Sequence, residues 1–116
     1  MALVHLKLIQ QTYKDKAIND LGEKPDFVVV FMGPSVKLLS SDRSMFTDAD
    51  KKTLGDMDNI LAAMSKDGIR LEVCLVAVGM FGIDPGKILP EIHHVGNGWI
   101  SSTGYQDNGY ALIPAF

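Results

Sequence analysis

The sequence is poor in cysteine and has no excess of basic residues. Its 116 residues include one cysteine, and 11 basic residues are outnumbered by 14 acidic ones, for a net charge of −3. A single cysteine forms no internal disulfide and does not supply the paired cysteines of a zinc site or a CxxC redox motif. No cluster of basic residues offers a surface for a nucleic-acid backbone. We therefore expect no nucleic-acid partner, no metal and no other cofactor.

Long apolar runs are also absent. No run approaches the roughly 18 apolar residues that a membrane span requires, and the first residues, MALVHLKLIQQ, lack the charged start of a secretory signal. This predicts a cytoplasmic protein with no membrane partner. Only 22% of the residues are charged and six are methionines, which indicates apolar surface that a small domain would cover by forming oligomers.

Sequence motifs of several enzyme classes are missing. A cysteine-based phosphatase needs an arginine six positions after the thiol, and Met80 stands there. There is no GxxxxGKS or GxxxxGKT loop, no GxGxxG after a strand and no GxSxG elbow, so nucleotide-binding and hydrolase activities lack their motif. The turn at residues 33–36, GPSV, could present amides to an anion, but such turns are usually only structural, so it is weak evidence for a site.

Alternating strand-like and helix-like segments predict an α/β domain. We expect helices over 10–21, with Gly22 as C-cap, after residue 33, over 47–67 and within 96–109, and strands over 3–9, 26–33, 69–74, 91–95 and 110–116. The second strand is rich in valine and should be buried on both faces, near the middle of the sheet. The order βαβαβαβαβ predicts one domain over residues 1–116, with a mostly parallel five-stranded sheet and helices on both faces.

The clearest helix signal lies between Thr47 and Gly68. Thr47 is placed as an N-cap, acidic residues follow it in the first turn, and Gly68 ends the helix. The predicted buried face consists of Leu54, Met57, Ile60, Leu61 and Met64.

Sites in open parallel sheets form at the carboxyl ends of the strands. Three segments fit that position: Gly33, Pro34 and Ser35; Cys74 with the residues after it; and Gly96, Asn97 and Gly98.

Two conformations of residues 75–82 give Cys74 opposite properties. If the strand ends at Cys74 and a helix follows, free amides and the helix dipole favour the thiolate. If the strand continues to Val78, Cys74 is a core residue whose pKa is raised by burial and whose sulfur is inert. Periodicity alone does not decide between these conformations.

Few polar side chains are candidates to support the thiol. His93 and His94 are adjacent on a predicted strand, so they point to opposite faces and do not easily bind one metal ion. One of them, or Lys37, could supply a positive charge beside Cys74. Trp99, Tyr105 and Tyr110 are more typical of core or interface aromatics than of a ligand platform.

The sequence resembles the DsrE/DsrF-like family of small sulfur-relay proteins. The resemblance lies in an apolar strand leading to GPSVKLL, a helix ending in SKDGIRLEVC, the following GID and a closing GWISSTGYQDNGYALI. It implies a three-layer α/β/α sandwich that assembles into homotrimers or homohexamers. In family members active in sulfur transfer, a cysteine at the end of the third strand accepts a sulfane sulfur as a persulfide and passes it to a partner protein.

Cys74 stands at the matching position, so the resemblance implies a sulfur carrier or sulfurtransferase that meets donor and acceptor proteins. Gly33, Pro34, Ser35 and Lys37 would line the adjacent ligand-binding loop. The residues at 75–78 are all apolar, which would limit access to the thiol and would also protect a persulfide from water. The alternative is a non-catalytic oligomeric binding or assembly module with a buried, inert Cys74; a third hypothesis is a phosphate-compound or nucleotide-type site at GPSV.

Overall fold

A computed structural model describes residues 2–21 and 25–115. The α-helices are α1 (Ala2–Lys14), α2 (Lys16–Asn19), α3 (Asp48–Lys66), α4 (Leu75–Met80) and α5 (Gly98–Asp107). The strands are β1 (Val28–Phe31), β2 (Arg70–Cys74) and β3 (His93–Val95), and 3-10 helices span Gly33–Leu39 and Pro85–Lys87. None of the helices within the described ranges is long and apolar enough to cross a membrane.

The described residues form a parallel sheet of three strands, in the order β1-β2-β3. The α/β class and the parallel sheet are thus confirmed, but the expected five strands are not. The valine-rich strand β1 lies at one edge of the sheet, with Val28, Val29 and Val30 half-buried, and β2 is the central strand instead. Four of the five residues of β2 are buried, as expected of a strand covered on both faces.

The predicted first strand is a helix. Val4, Leu6 and Leu8 alternate as in a strand, but α1 turns Leu6 into the core and leaves Val4 and Leu8 about half exposed. Leu3, Leu6, Ile9 and Tyr13 follow the spacing of a helix face and pack in or against the core. The segment therefore follows the helical spacing of its apolar residues and not their strand-like alternation. Gly22, the expected C-cap of the next helix, lies outside the described residues.

The predicted last strand is also absent, because residues 110–115 have no regular structure. Leu112 and Ile113 are 61% and 84% exposed, and Pro114 has no N–H group to donate to a sheet. Tyr110 begins this segment and donates a hydrogen bond to Asp26, which precedes β1. Phe116 lies outside the described residues.

Helix α3 confirms the strongest sequence signal. Thr47 is its N-cap, with Oγ1 accepting a hydrogen bond from the Asp50 N–H at 3.2 Å. The residues buried from it are Leu54, Met57, Leu61 and Met64, while Ile60 is half-buried. Gly68 follows with φ of +96°, a conformation that glycine adopts without strain.

Residues 75–80 form the short helix α4, so the strand ends at Cys74. Ala77 and Val78 pack into the core, and Val76 and Met80 face outward, 50% and 77% exposed. Gly82, with φ of +67°, reverses the chain after the helix. The ambiguity over residues 75–82 is thereby resolved in favour of a helix that begins next to the thiol.

Leu61 tests the packing of α3 in the core. It is fully buried, so Leu61→Ala should lower the free energy of unfolding by about 2–5 kcal/mol through lost burial and a residual cavity. Urea denaturation followed by circular dichroism measures this change. Leu21→Ala, the same substitution at a residue that is 77% exposed, is the matched control. Equal losses in the two variants would contradict the placement of Leu61 in the core.

Candidate functional site

Cys74 ends the central strand and immediately precedes α4. Its backbone is still extended, with φ of −75° and ψ of 114°, and it acts as the N-cap residue of that helix. The residue is only 5% exposed and its thiol is free. The thiol therefore lies at the carboxyl edge of the sheet, just below the surface.

Backbone amides surround the sulfur of Cys74. Burial alone would raise the pKa of this thiol, but hydrogen bonds from the N–H groups of Gly98, Ala77 and Val76 lower the pKa below its ordinary value. Two of these amides belong to the first turn of α4, and the third belongs to the first residue of α5. The site thus favours the thiolate with neutral donors alone.

Gly98, the buried residue of α5, packs tightly against Met32 and Cys74. A Cβ atom built on Gly98 would lie 2.7 Å from Cγ and Sδ of Met32 and 3.0 Å from Cβ of Cys74. The Asn97 side chain caps the helix by accepting a hydrogen bond from the Trp99 N–H at 3.0 Å. The segment GNG, predicted to lie at the sheet edge, is therefore brought directly against the thiol.

The segment Gly33, Pro34 and Ser35 follows Met32 at the end of β1. Gly33 adopts φ of +63° at the start of the 3-10 helix Gly33–Leu39, which contacts both β2 and α4. The Ser35 hydroxyl donates to the Met32 carbonyl at 2.8 Å instead of capping the helix. These residues form a turn on the strand next to Cys74.

Lys37, His93 and His94, the candidates for a positive charge beside Cys74, lie in different surroundings. Nζ of Lys37 is 4.8 Å from the ring centroid of Phe81, at the far end of α4. His93 and His94 are exposed on the edge strand β3, in register with Glu72 and Val73. None of the three is among the groups that shift the pKa of Cys74. Nowhere in residues 2–21 and 25–115 do three His, Cys, Asp or Glu residues cluster as a metal site would require.

Glu72 is a buried carboxylate that the sequence analysis did not single out. It lies two residues before Cys74 on the same face of β2 and is 1% exposed. Its Oε1 accepts a hydrogen bond from the Ser101 hydroxyl at 2.6 Å, and its Oε2 accepts one from the Tyr105 hydroxyl at 2.5 Å. Nε of Arg70 completes the cluster at 2.6 Å from Oε2.

These hydrogen bonds decide the ionisation of the cluster. Burial alone would raise the pKa of Glu72, but the bonds from Ser101, Tyr105 and Arg70 hold the pKa below its ordinary value. Burial and the bond to the carboxylate raise the pKa of Tyr105. One sequence signal could have revealed Glu72: it is an acidic residue between the apolar residues Leu71 and Val73 of a predicted strand, and a carboxylate buried there must find donors on a covering element.

The fold and the site together define a class of α/β protein with a parallel sheet and a thiol at the carboxyl end of its central strand. The DsrE/DsrF-like family model matches residues 5–115, and the chain belongs to this family. Its fold is similar to that of a protein of unknown function from Methanobacterium thermoautotrophicum. The TM-score is 0.72 over 97% of this chain and 85% of the other, at 18% sequence identity. No curated protein matches the sequence.

The Gly98 contact can be tested by adding one methyl group. Gly98→Ala should push the start of α5 away from the thiol, so the ionisation constant of Cys74 should fall by about three- to tenfold as one hydrogen bond to the thiolate weakens. Labelling cysteine at Cβ with carbon-13 gives a single NMR signal, whose chemical shift against pH reports the pKa.

Gly104→Ala is the control for this experiment. Gly104 lies in the same helix, and a Cβ there meets no atom within 4 Å, so the thiol pKa should stay unchanged. An unchanged pKa in Gly98→Ala as well would show that the amide of Gly98 does not hold the thiolate.

Proposed function

We propose that this protein carries sulfane sulfur as a persulfide on Cys74 and passes it to a partner protein. The observation that carries the proposal is the position of Cys74 at the carboxyl end of the central strand, where α4 begins and Gly98 of α5 packs against it. The N–H groups of Gly98, Ala77 and Val76 there lower the pKa of the thiol. Family membership supports the same role. The protein would act in the cytoplasm, where reducing conditions keep a lone thiol free.

The chemistry requires only a thiolate and a donor of sulfane sulfur. The Cys74 thiolate attacks the outer sulfur of a donor persulfide, a new S–S bond forms, and the old S–S bond breaks with its electron pair leaving on the donor thiolate. The reverse step on an acceptor thiolate delivers the sulfur and restores Cys74. No redox partner is needed, and the amides that stabilise the thiolate also stabilise the terminal persulfide anion.

The residues around the thiol fit a carrier more than an independent catalyst. Gly33, Pro34 and Ser35 would form the neighbouring wall of the site, with Lys37 as a more distant cation. Ala77 and Val78 are buried beneath the first turn of α4, so a bound persulfide would be partly shielded from water. Only burial and backbone N–H groups shift the pKa of Cys74, and no acidic or basic side chain is among the causes.

Mass spectrometry of the intact protein tests sulfur loading. Incubation with polysulfide, or with thiosulfate and a sulfurtransferase, should add about 32 Da per sulfur atom, and a reductant should remove it. Cys74→Ser is the control and should gain nothing. A native protein that gains no mass, with a thiol that resists alkylation until the chain is unfolded, would exclude the relay.

A second candidate is a non-catalytic assembly module. It is favoured by the low exposure of Cys74, at 5%, and by large apolar side chains left exposed beside it, including Trp99 at 76% and Ile100 at 71%. Such side chains are typical of an interaction surface. In that case Cys74 would be an inert residue of the core, and the same surface would mediate self-association into a homotrimer or homohexamer.

Light scattering with size-exclusion chromatography tests the assembly. The native mass should be three or six times the 12.7 kDa of the chain, and Trp99→Lys should reduce it, because a charge in an apolar interface is costly to bury. Met45→Lys, at a loop residue that is 94% exposed, is the control. A native protein that elutes as a monomer would contradict self-association.

A further inference from the structure

Helix α5 turns half-buried polar groups toward the sheet and exposes large apolar side chains. Its large apolar residues Trp99 and Ile100 face outward, and Gly98 is its only buried residue. The helix nevertheless lies on β1 and β2. Apolar packing of large side chains therefore does not explain what holds α5 against the sheet.

Glu72 provides the attachment. Gly98, Ser101 and Tyr105 are spaced by three and four residues, so they share one stripe of the helix. The first of them touches Cys74, and the other two donate hydrogen bonds to the two carboxylate oxygens of Glu72. On the strand, Glu72 and Cys74 face the same stripe two residues apart. One carboxylate thus fixes both the distance and the rotation of the helix over the thiol.

We propose that Glu72 is a positioning residue: it holds the N–H group of Gly98 against the sulfur of Cys74. It does so by fixing α5 through the hydrogen bonds that it accepts from Ser101 and Tyr105. Glu72 makes no contact with the reacting atoms in this role. The inference rests on the proposed use of Cys74 as a thiolate, and it identifies the residue that keeps the thiolate stabilised.

Charge alone would have the opposite effect. A nearby carboxylate disfavours a thiolate, so removing the charge of Glu72 should lower the pKa of Cys74 if the two groups interacted only through space. Loss of the helix attachment should raise that pKa instead. The titratable groups on the elements around Cys74 are Arg70 and Glu72 on β2, His93 and His94 on β3, Tyr105 and Asp107 on α5, and Lys37 on the 3-10 helix.

The test is the pH titration of the carbon-13 signal of Cys74 in Glu72→Gln, Ser101→Ala and Tyr105→Phe. Each variant should lower the ionisation constant of the thiol by about three- to tenfold, toward the value found with Gly98→Ala. The last two variants keep the carboxylate charge and remove one donor each, so they give the result even if loss of the buried ion pair unfolds Glu72→Gln.

Asp58→Asn separates positioning from general loss of stability. It breaks another ion pair, in which two nitrogens of Arg43 contact the Asp58 carboxylate at 2.6 and 2.7 Å, and which joins α3 to the loop before it. The thiol pKa should not move in Asp58→Asn. An unchanged or lowered pKa in both Ser101→Ala and Tyr105→Phe, or an equal rise in Asp58→Asn, would overturn the proposal.

Sulfur loading gives an independent readout. The titration measures ionisation whether or not Cys74 ever carries sulfur, so the two hypotheses fail separately. If the pKa of Cys74 rises in these variants but the native protein takes up no sulfur, the positioning role of Glu72 stands and the relay is excluded. If the native protein takes up sulfur but the pKa of Cys74 does not change in the variants, the relay stands and the positioning role is excluded.

Discussion

The central strand β2 is buried on both faces, yet one of those faces carries a carboxylate and a thiol. A polar group without water must find partners within the protein, and a charged one needs several. Helix α5 supplies them from a single stripe, with an amide for the sulfur of Cys74 and two hydroxyls for Glu72. The position of this helix is therefore set by polar complementarity. The opposite face of β2 shows the usual pattern, since Leu71 and Val73 are fully buried in the apolar core.

Stabilising a thiolate with amides has consequences that stabilising it with a cation would not have. Amide dipoles at hydrogen-bonding distance act over a short range and are screened little by salt, so the acidity of Cys74 depends on geometry more than on ionic strength. A shift of the helix by a fraction of an ångström changes the strength of the hydrogen bond, whereas the interaction with a distant charge would hardly change. The cations expected from the sequence, Lys37 and the two histidines of β3, are thus not required for a reactive thiol.

The sequence was sufficient where a pattern was long or chemically singular. Helix α3, the strand leading to Cys74, the turn at Gly33 and the placement of Gly98 at the sheet edge all followed from local signals, whereas the end of that strand at Cys74 did not. The family pattern was recognisable from the same segments. Sequence-based prediction was wrong where the same residues fit both the helical and the strand-like spacing of apolar side chains.

In α1 the residues Val4, Leu6 and Leu8 alternate as in a strand, and only the packing shows that Leu6 alone of the three turns inward. Residues 110–115 have strand-like composition but no partner strand, which local sequence cannot show. Glu72 was missed because its donors lie about thirty residues away, and such pairing depends on the tertiary fold.

The proposed relay and the proposed assembly module would use the same surface. Helices α4 and α5 both begin near the thiol, and each presents apolar side chains to the outside: Val76 and Met80 on α4, and Trp99 and Ile100 on α5. Because Cys74 is only 5% exposed, an acceptor would reach its sulfur only by packing against these side chains. Docking on such a surface would also expel water, which strengthens the amide contacts to the sulfur and protects the persulfide during transfer. If self-association covered this whole surface, no partner could reach the thiol. If it covered only part of the surface, a recess would remain in which an acceptor protein could bind. The fraction of the apolar surface that other copies occupy therefore decides which of the two functions the same fold performs.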